Sequence, residues 1–142
     1  MNDENRLSDP STPFGDRVRR RLRDDLLVWL TTVDDDGTPQ PNPVWFLWEG
    51  ATCLVYNTAG ARRLRHIRSR PAVSLHFDHG GRDTVVIAGR ATIPPDQPPA
   101  DRVPAFLARY QHLMTMGIEQ WARHFAVPLR IELVRTRGHL AG

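Results

Sequence analysis

The chemistry-bearing residues of this chain cluster where a strand ending Tyr56-Asn57-Thr58 gives way to a Gly-containing turn and then to an arginine-rich helix. Helix N-termini present unpaired backbone N–H groups and the positive end of the helix dipole. Thr58 adds a hydroxyl donor, and Arg62 and Arg63 add forked guanidinium donors that suit phosphate. On a helical wheel Arg63 flanks the apolar stripe of Leu64 and Ile67, whereas Arg65 turns away from it. Two readings of this segment stay open: an anion cradle, or a solvated helix in which arginine stands for lysine through coding bias. The strand just upstream carries Trp45, Phe46 and Trp48. Such aromatics serve a core equally well, yet a planar ring with a phosphate tail needs this pairing of an apolar slot and an anion cradle.

Other chemistries are excluded or unsupported. All 19 basic residues counted as Lys+Arg are arginine. A chain without lysine has no Schiff-base mechanism and no Walker phosphate loop. No serine sits in a Gly-x-Ser-x-Gly elbow, and no carboxylate pair stands out for glycoside chemistry. His76 and His79 straddle a strand end and a Gly loop, so no metal site is expected. Asp34-Asp35-Asp36-Gly37 reads as a solvated turn, because no further carboxylate follows at the spacing of a calcium loop. Cys53 stands alone, which excludes an intrachain disulfide.

Charge narrows the partner class. The net charge is +3, yet residues 1–60 hold 6 Arg against 10 acids and residues 61–142 hold 13 Arg against 6 acids, a split of −4 and +7. A local cluster, Arg62, Arg63, Arg65, Arg68 and Arg70, fits a discrete anionic ligand better than a polyanion. Nucleic acid is not expected, since the aromatics lie in apolar strands rather than interleaved with Arg on a wet face. No apolar run approaches the roughly 20 residues of a membrane span, and the polar N-terminus does not read as a signal peptide. A cytoplasmic, single-domain protein of 142 residues is expected.

The elements that position these residues follow from periodicity. Residues 1–12 are polar and expected to be disordered, leaving one domain over 13–142. Thr12 or Ser11 caps a helix with Pro13 in its first turn and Phe14, Val18 and Leu22 on one face. Six strands are read at Leu26–Val33, Pro39–Trp48, Thr52–Asn57, Val73–Asp78, Thr84–Ile93 and Leu129–Val134. Pro39, Pro41 and Pro43 confine the second to an edge, and Gly89 marks a bulge or bend in the fifth. Helices are expected over Ala61–Ser69 and, after a Pro-rich crossover at 94–104, in two pieces divided at Gly117. The order predicts a mainly β, α+β protein: an antiparallel barrel with accessory helices.

The run from Pro43 to Trp48, with that from Tyr56 through Arg62-Arg63-Leu64-Arg65-His66-Ile67 to Leu75, resembles the pyridoxamine-5′-phosphate-oxidase-like split-barrel flavoproteins. It looks closest to their actinobacterial branch of coenzyme F420-dependent (deazaflavin) oxidoreductases, as does the ending from Val127 to Gly138. The resemblance covers Leu22 to Gly138. It implies a six-stranded split β-barrel of the FMN-binding type, a homodimer, and a cofactor, coenzyme F420 or alternatively FMN, in a groove at the subunit interface. By position Pro43, Val44, Trp45 and Phe46 would flank the ring. Tyr56, Asn57 and Thr58 would border the cofactor, and Arg62 and Arg63 would hold its phosphate. The family pattern has Lys at Arg63, Asn at His66, and Thr or Ser at Ala61. Arg65, Arg68 and Arg70 would suit a longer anionic tail. The implied activity is hydride transfer to an unsaturated small molecule; the alternative is a non-catalytic store or carrier of the cofactor. No catalytic residue is assigned. His76, Tyr110 and Trp121 are placed on the substrate side by position alone.

Overall fold

The computed structural model describes residues 6–140. Helix α1 (Pro13–Asp24) is followed by β1 (Val28–Val33), β2 (Pro39–Val44), β3 (Leu47–Glu49), β4 (Thr52–Asn57), α2 (Arg62–Ser69), β5 (Ala72–Phe77) and β6 (Asp83–Thr92). A 3-10 turn, α3 (Pro104–Tyr110), a second 3-10 turn, α4 (Ile118–His124) and β7 (Val127–Leu140) complete the chain. Thr12 caps α1 by accepting the Gly15 N–H at 3.0 Å, with Pro13 at its first position. Among the described residues, no helix is long and apolar enough to cross a membrane.

One seven-stranded antiparallel sheet runs β2-β1-β5-β6-β7-β4-β3. Six strands were expected. The difference lies in Pro39–Trp48, which divides into β2 and β3 at Trp45-Phe46. β2 and β3 occupy opposite edges of the sheet, yet only two residues separate Val44 from Leu47. Three residue steps span at most about 11 Å, so the sheet curls until its edges meet. That is a split barrel, as the aromatic run allowed and the prolines of β2 required.

Two apolar layers explain which residues are buried. Val28, Leu30, Val55, Leu75, Ile87, Leu129 and Ile131 fill the barrel. A second cluster covers the outer face of β3–β4, where Leu47, Leu54 and Tyr56 meet Phe106, Tyr110, Trp121 and Ala122 of the helices. Cys53 to Tyr56 is therefore buried on both faces, one inside the barrel and one beneath helices. Burial pushes the Cys53 thiol up to about 12, an inert core group.

Two boundaries depart from expectation. Residues 6–12, expected to fray, dock on the barrel: Leu7 is buried, Arg6 pairs with Glu132 at 2.9 Å, and Ser8 meets Thr136. Residues 1–5 lie outside the described residues. β7 extends to Leu140 rather than ending at Val134, because β6 pairs with it along its whole length. The register slips at Ala88/Gly89, which leaves Val134 as the extra residue. A Cβ at Gly89 would stand 2.7 Å from the Ile131 Cγ2, so the bulge closes only over glycine.

Candidate functional site

Strand β4 and helix α2 bring the anion-binding candidates together. Ala61 gives α2 no side-chain cap, which leaves its first N–H groups to an external acceptor. Arg63 is partly buried, and its Nε donates to the Asn57 Oδ1 at 2.5 Å. Asn57 is fully buried, and its amide nitrogen is anchored on the Val127 carbonyl at 3.0 Å. Burial lowers the pKa of the Arg63 guanidinium, and among the described residues no carboxylate pairs with it. A half-buried cation without a carboxylate partner among the described residues suits an anionic ligand.

Arg63 stands between two cavities. On one side, a cavity of about 180 Å³ is bounded by Pro43, Val44 and Trp45 at the end of β2. Tyr56, Trp121 and Phe125 close it with their rings. Trp45 stacks between Tyr110 and Trp121, with centroids at 4.6 and 5.5 Å, and Trp121 stacks on Phe125 at 4.4 Å. On the other side, a polar cavity of about 360 Å³ is lined by Asp34, Gln40, Asn42, Arg62, Arg63 and His66. A larger hollow of about 520 Å³ adjoins it between α2 and the acidic turn. The groove thus offers apolar walls at one end and cations at the other.

Expected site residues divide by position. Pro43, Val44, Trp45, Tyr56, Arg62, Arg63 and Trp121 all line the groove. Asn57 acts from beneath, through Arg63. Thr58 lies at the strand end, where its carbonyl accepts the Ala61 N–H at 3.1 Å, and lines none of these cavities. Phe46 turns into the barrel and meets Phe77 edge-on. Tyr110 is buried beneath Trp45, and its hydroxyl is engaged by main-chain groups. His76 lies elsewhere, on the outer face of β5, stacked on Trp29. Arg65 and Arg70 are both tied to Asp35, which leaves fewer cations for an anionic tail than the sequence displays.

The acidic turn is structural. Asp34 accepts the N–H groups of Asp36 and Thr38 and the Gln40 amide. These bonds, Thr38 first, lower its carboxyl pKa. Among the described residues no cluster of three or more His, Cys, Asp or Glu could hold a metal.

Sequence reasoning passed over Gln40, Asn42 and Phe125. Gln40 and Asn42 alternate with three prolines, and their register opposite Thr32 and Leu30 brings them beside α2. The signal was available: polar side chains at every second position of an otherwise proline-blocked edge strand.

The fold and groove define a split-barrel protein with a cleft walled by aromatic rings at one end and by polar and arginine side chains at the other. The chain belongs to the pyridoxamine 5'-phosphate oxidase family, whose model matches residues 14–136. No protein of curated function matches it. Among solved structures it is similar to an F420 reductase at 26% identity, over 82% of this chain and 92% of that one, with a TM-score of 0.65. A conserved hypothetical protein from Mycobacterium tuberculosis is 21% identical over 87% and 82% of the two chains, with a TM-score of 0.70. HutZ, the heme storage protein from Vibrio cholerae, is 15% identical over 89% and 95%, with a TM-score of 0.69.

Proposed function

We propose that the groove holds a phosphorylated flavin-type cofactor, coenzyme F420 or FMN, and that the chain serves as its binding module, a store or carrier. The observation that carries this reading is Arg63, a half-buried guanidinium with no carboxylate partner among the described residues, set between an aromatic and a polar cavity. Arg62, Arg63 and the uncapped start of α2 would take the phosphate. Pro43 to Trp45, Tyr56 and Trp121 would flank the ring, excluding water from one of its faces. The Tyr56 hydroxyl donates to the Pro98 carbonyl at 2.6 Å, and burial raises its pKa. It therefore holds its proton on a structural bond, and among the described residues Arg63 is the one other ionisable group that lines the aromatic cavity.

A second reading, an oxidoreductase acting on an unsaturated small molecule, is favoured by the similarity to the F420 reductase. When bound, the cofactor supplies the hydride chemistry, which requires no side-chain acid or base. Titration calorimetry of the protein with coenzyme F420 and with FMN tests binding; saturable uptake of at least one is expected. Stopped-flow oxidation of the bound reduced cofactor by quinones, enones and nitroaromatics then separates the readings: a carrier shows no acceleration over free cofactor.

We propose further that two copies associate through the outer face of β1 and β5. Trp29 and Leu27 are 37% and 54% exposed there, and Trp29 sits beside His76 and across from Pro43 at the groove's edge. A dimer on this face would carry His76 to the rim of the partner's groove. Sedimentation should give a dimer, and Trp29→Glu should give a folded monomer with weaker cofactor affinity.

A further inference from the structure

We infer that His66 is a direct phosphate ligand of the groove, one that couples cofactor binding to proton uptake. This inference rests on the proposed cofactor reading and assigns the role to a residue that the family pattern fills differently. His66 lies one helical turn after Arg62, so the two side chains share a face of α2. It is 93% buried by its 7% exposure, and it lines both polar cavities, where arginines and aspartates meet. Its Nδ1 lies 2.9 Å from the Oγ1 of Thr32, itself buried in β1. Among the described residues no partner takes Nε2, and it is not among the buried atoms left without one. Nε2 therefore opens to the cavity that Arg62 and Arg63 share.

The chemistry follows from the two ring nitrogens. A neutral ring with its proton on Nδ1 donates to Thr32 and turns a lone pair toward the phosphate; with its proton on Nε2 it accepts from Thr32 and donates to the phosphate without adding charge. A protonated ring keeps the Thr32 bond and donates from Nε2, adding a positive charge. Bound phosphate thus favours the cation. The groups facing His66 carry charges of both signs. Asp34 in the β1–β2 turn favours the cation, with Asp35 and Asp36 beyond it. Arg62, Arg63, Arg65 and Arg68 on α2 oppose it. Thr32 of β1 and Gln40 and Asn42 of β2 carry no charge. An entering phosphate adds negative charge on the cavity side and favours the cation. Affinity owed to the charged ring is present at low pH and lost at high pH.

FMN has its own second phosphate ionisation near pH 6, which acts in the opposite direction, so the comparison is between wild type and His66→Asn. Titration calorimetry with FMN and with coenzyme F420, in two buffers of unlike ionisation enthalpy, counts protons taken up. Wild type should take up more protons than His66→Asn at pH 6.5. It should bind about tenfold more tightly at pH 5.5, with the gap closing by pH 8.5. Proton NMR of the wild-type imidazole, which needs no variant, should show the His66 titration moving to higher pH on addition of FMN. Parallel affinity profiles and an unmoved His66 resonance, with FMN still bound, overturn the role of His66 alone. Absence of saturable binding by either protein overturns the cofactor reading and this one together.

Discussion

Arg63→Ala is expected to weaken binding of the proposed cofactor by about 1.5–3 kcal/mol, roughly ten- to a hundredfold, while leaving the stability of the free protein nearly unchanged. Two opposed effects hold the stability. Removing the guanidinium relieves the cost of a half-buried charge, and it also orphans the Oδ1 of buried Asn57, whose amide nitrogen remains bonded to Val127. Each is of order 1 kcal/mol. The cofactor phosphate has no such compensation, since Arg63 supplies the charge between the two cavities. Arg63→Lys restores charge but not the Nε bond to Asn57, so it falls between wild type and Ala. Arg65→Ala is the control: its side chain is 75% exposed and pairs with Asp35, and its loss leaves affinity unchanged. Titration calorimetry beside thermal unfolding checks all three. Equal affinity for wild type and Arg63→Ala would make α2 a solvated helix and nothing more.

That contrast between Arg63 and Arg65 shows what the chain's pattern reveals and what it hides. The helical wheel already separates the two arginines, because burial on a helix is periodic. The order of elements, the edge position of β2 and the bulge at Gly89 are equally legible, since proline, glycine and alternation act locally. The division of Pro39–Trp48 is not. Val44 to Trp48 is continuously apolar, and the two reasons for that, barrel interior and helix cover, look alike in a string of residues. Phe46, set beside the ring by the resemblance, turns into the barrel against Phe77, and Tyr110, set on the substrate side by position alone, gives its hydroxyl to the Phe46 main chain, packing that no local pattern displays. His76 is hidden for another reason: its strand alternates correctly, but which outer face meets the groove depends on how the strands wind. The arginine count also overstates the cradle. The pairing of Arg65 and Arg70 with Asp35 joins residues some thirty positions apart, a tertiary fact with no local signature.

Tyr110→Phe lowers the stability of the protein by about 2–3 kcal/mol, a fall in melting temperature of roughly 8–12 °C for a chain of this size. The reason lies in how the barrel closes. Between β2 and β3 the chain crosses from one sheet edge to the other through Trp45 and Phe46, where the main chain leaves the ladder. The Tyr110 hydroxyl accepts the Phe46 N–H at 2.9 Å, and it reaches the carbonyls of Leu26 and Phe46 at 2.9 Å each. Arg109 supports the same seam, donating to the Phe46 carbonyl at 3.1 Å and to the Arg23 and Asp25 carbonyls at 2.5 Å, with its guanidinium 4.9 Å from the Phe46 ring centroid. Phenylalanine keeps the ring and its stack on Trp45, so packing is preserved and the loss isolates the hydroxyl. The Phe46 carbonyl retains Arg109. The Phe46 N–H loses its partner inside a buried contact, which is the expensive half of a broken hydrogen bond, and the Leu26 carbonyl loses its own at a partly buried one. Denaturant unfolding should show a lower midpoint with an unchanged slope, because the folded surface is the same. Cofactor affinity should fall by a smaller factor than in Arg63→Ala, since Trp45 keeps its ring neighbours while its backbone loosens. Unchanged stability would mean that the seam is closed by Arg109 and side-chain packing alone.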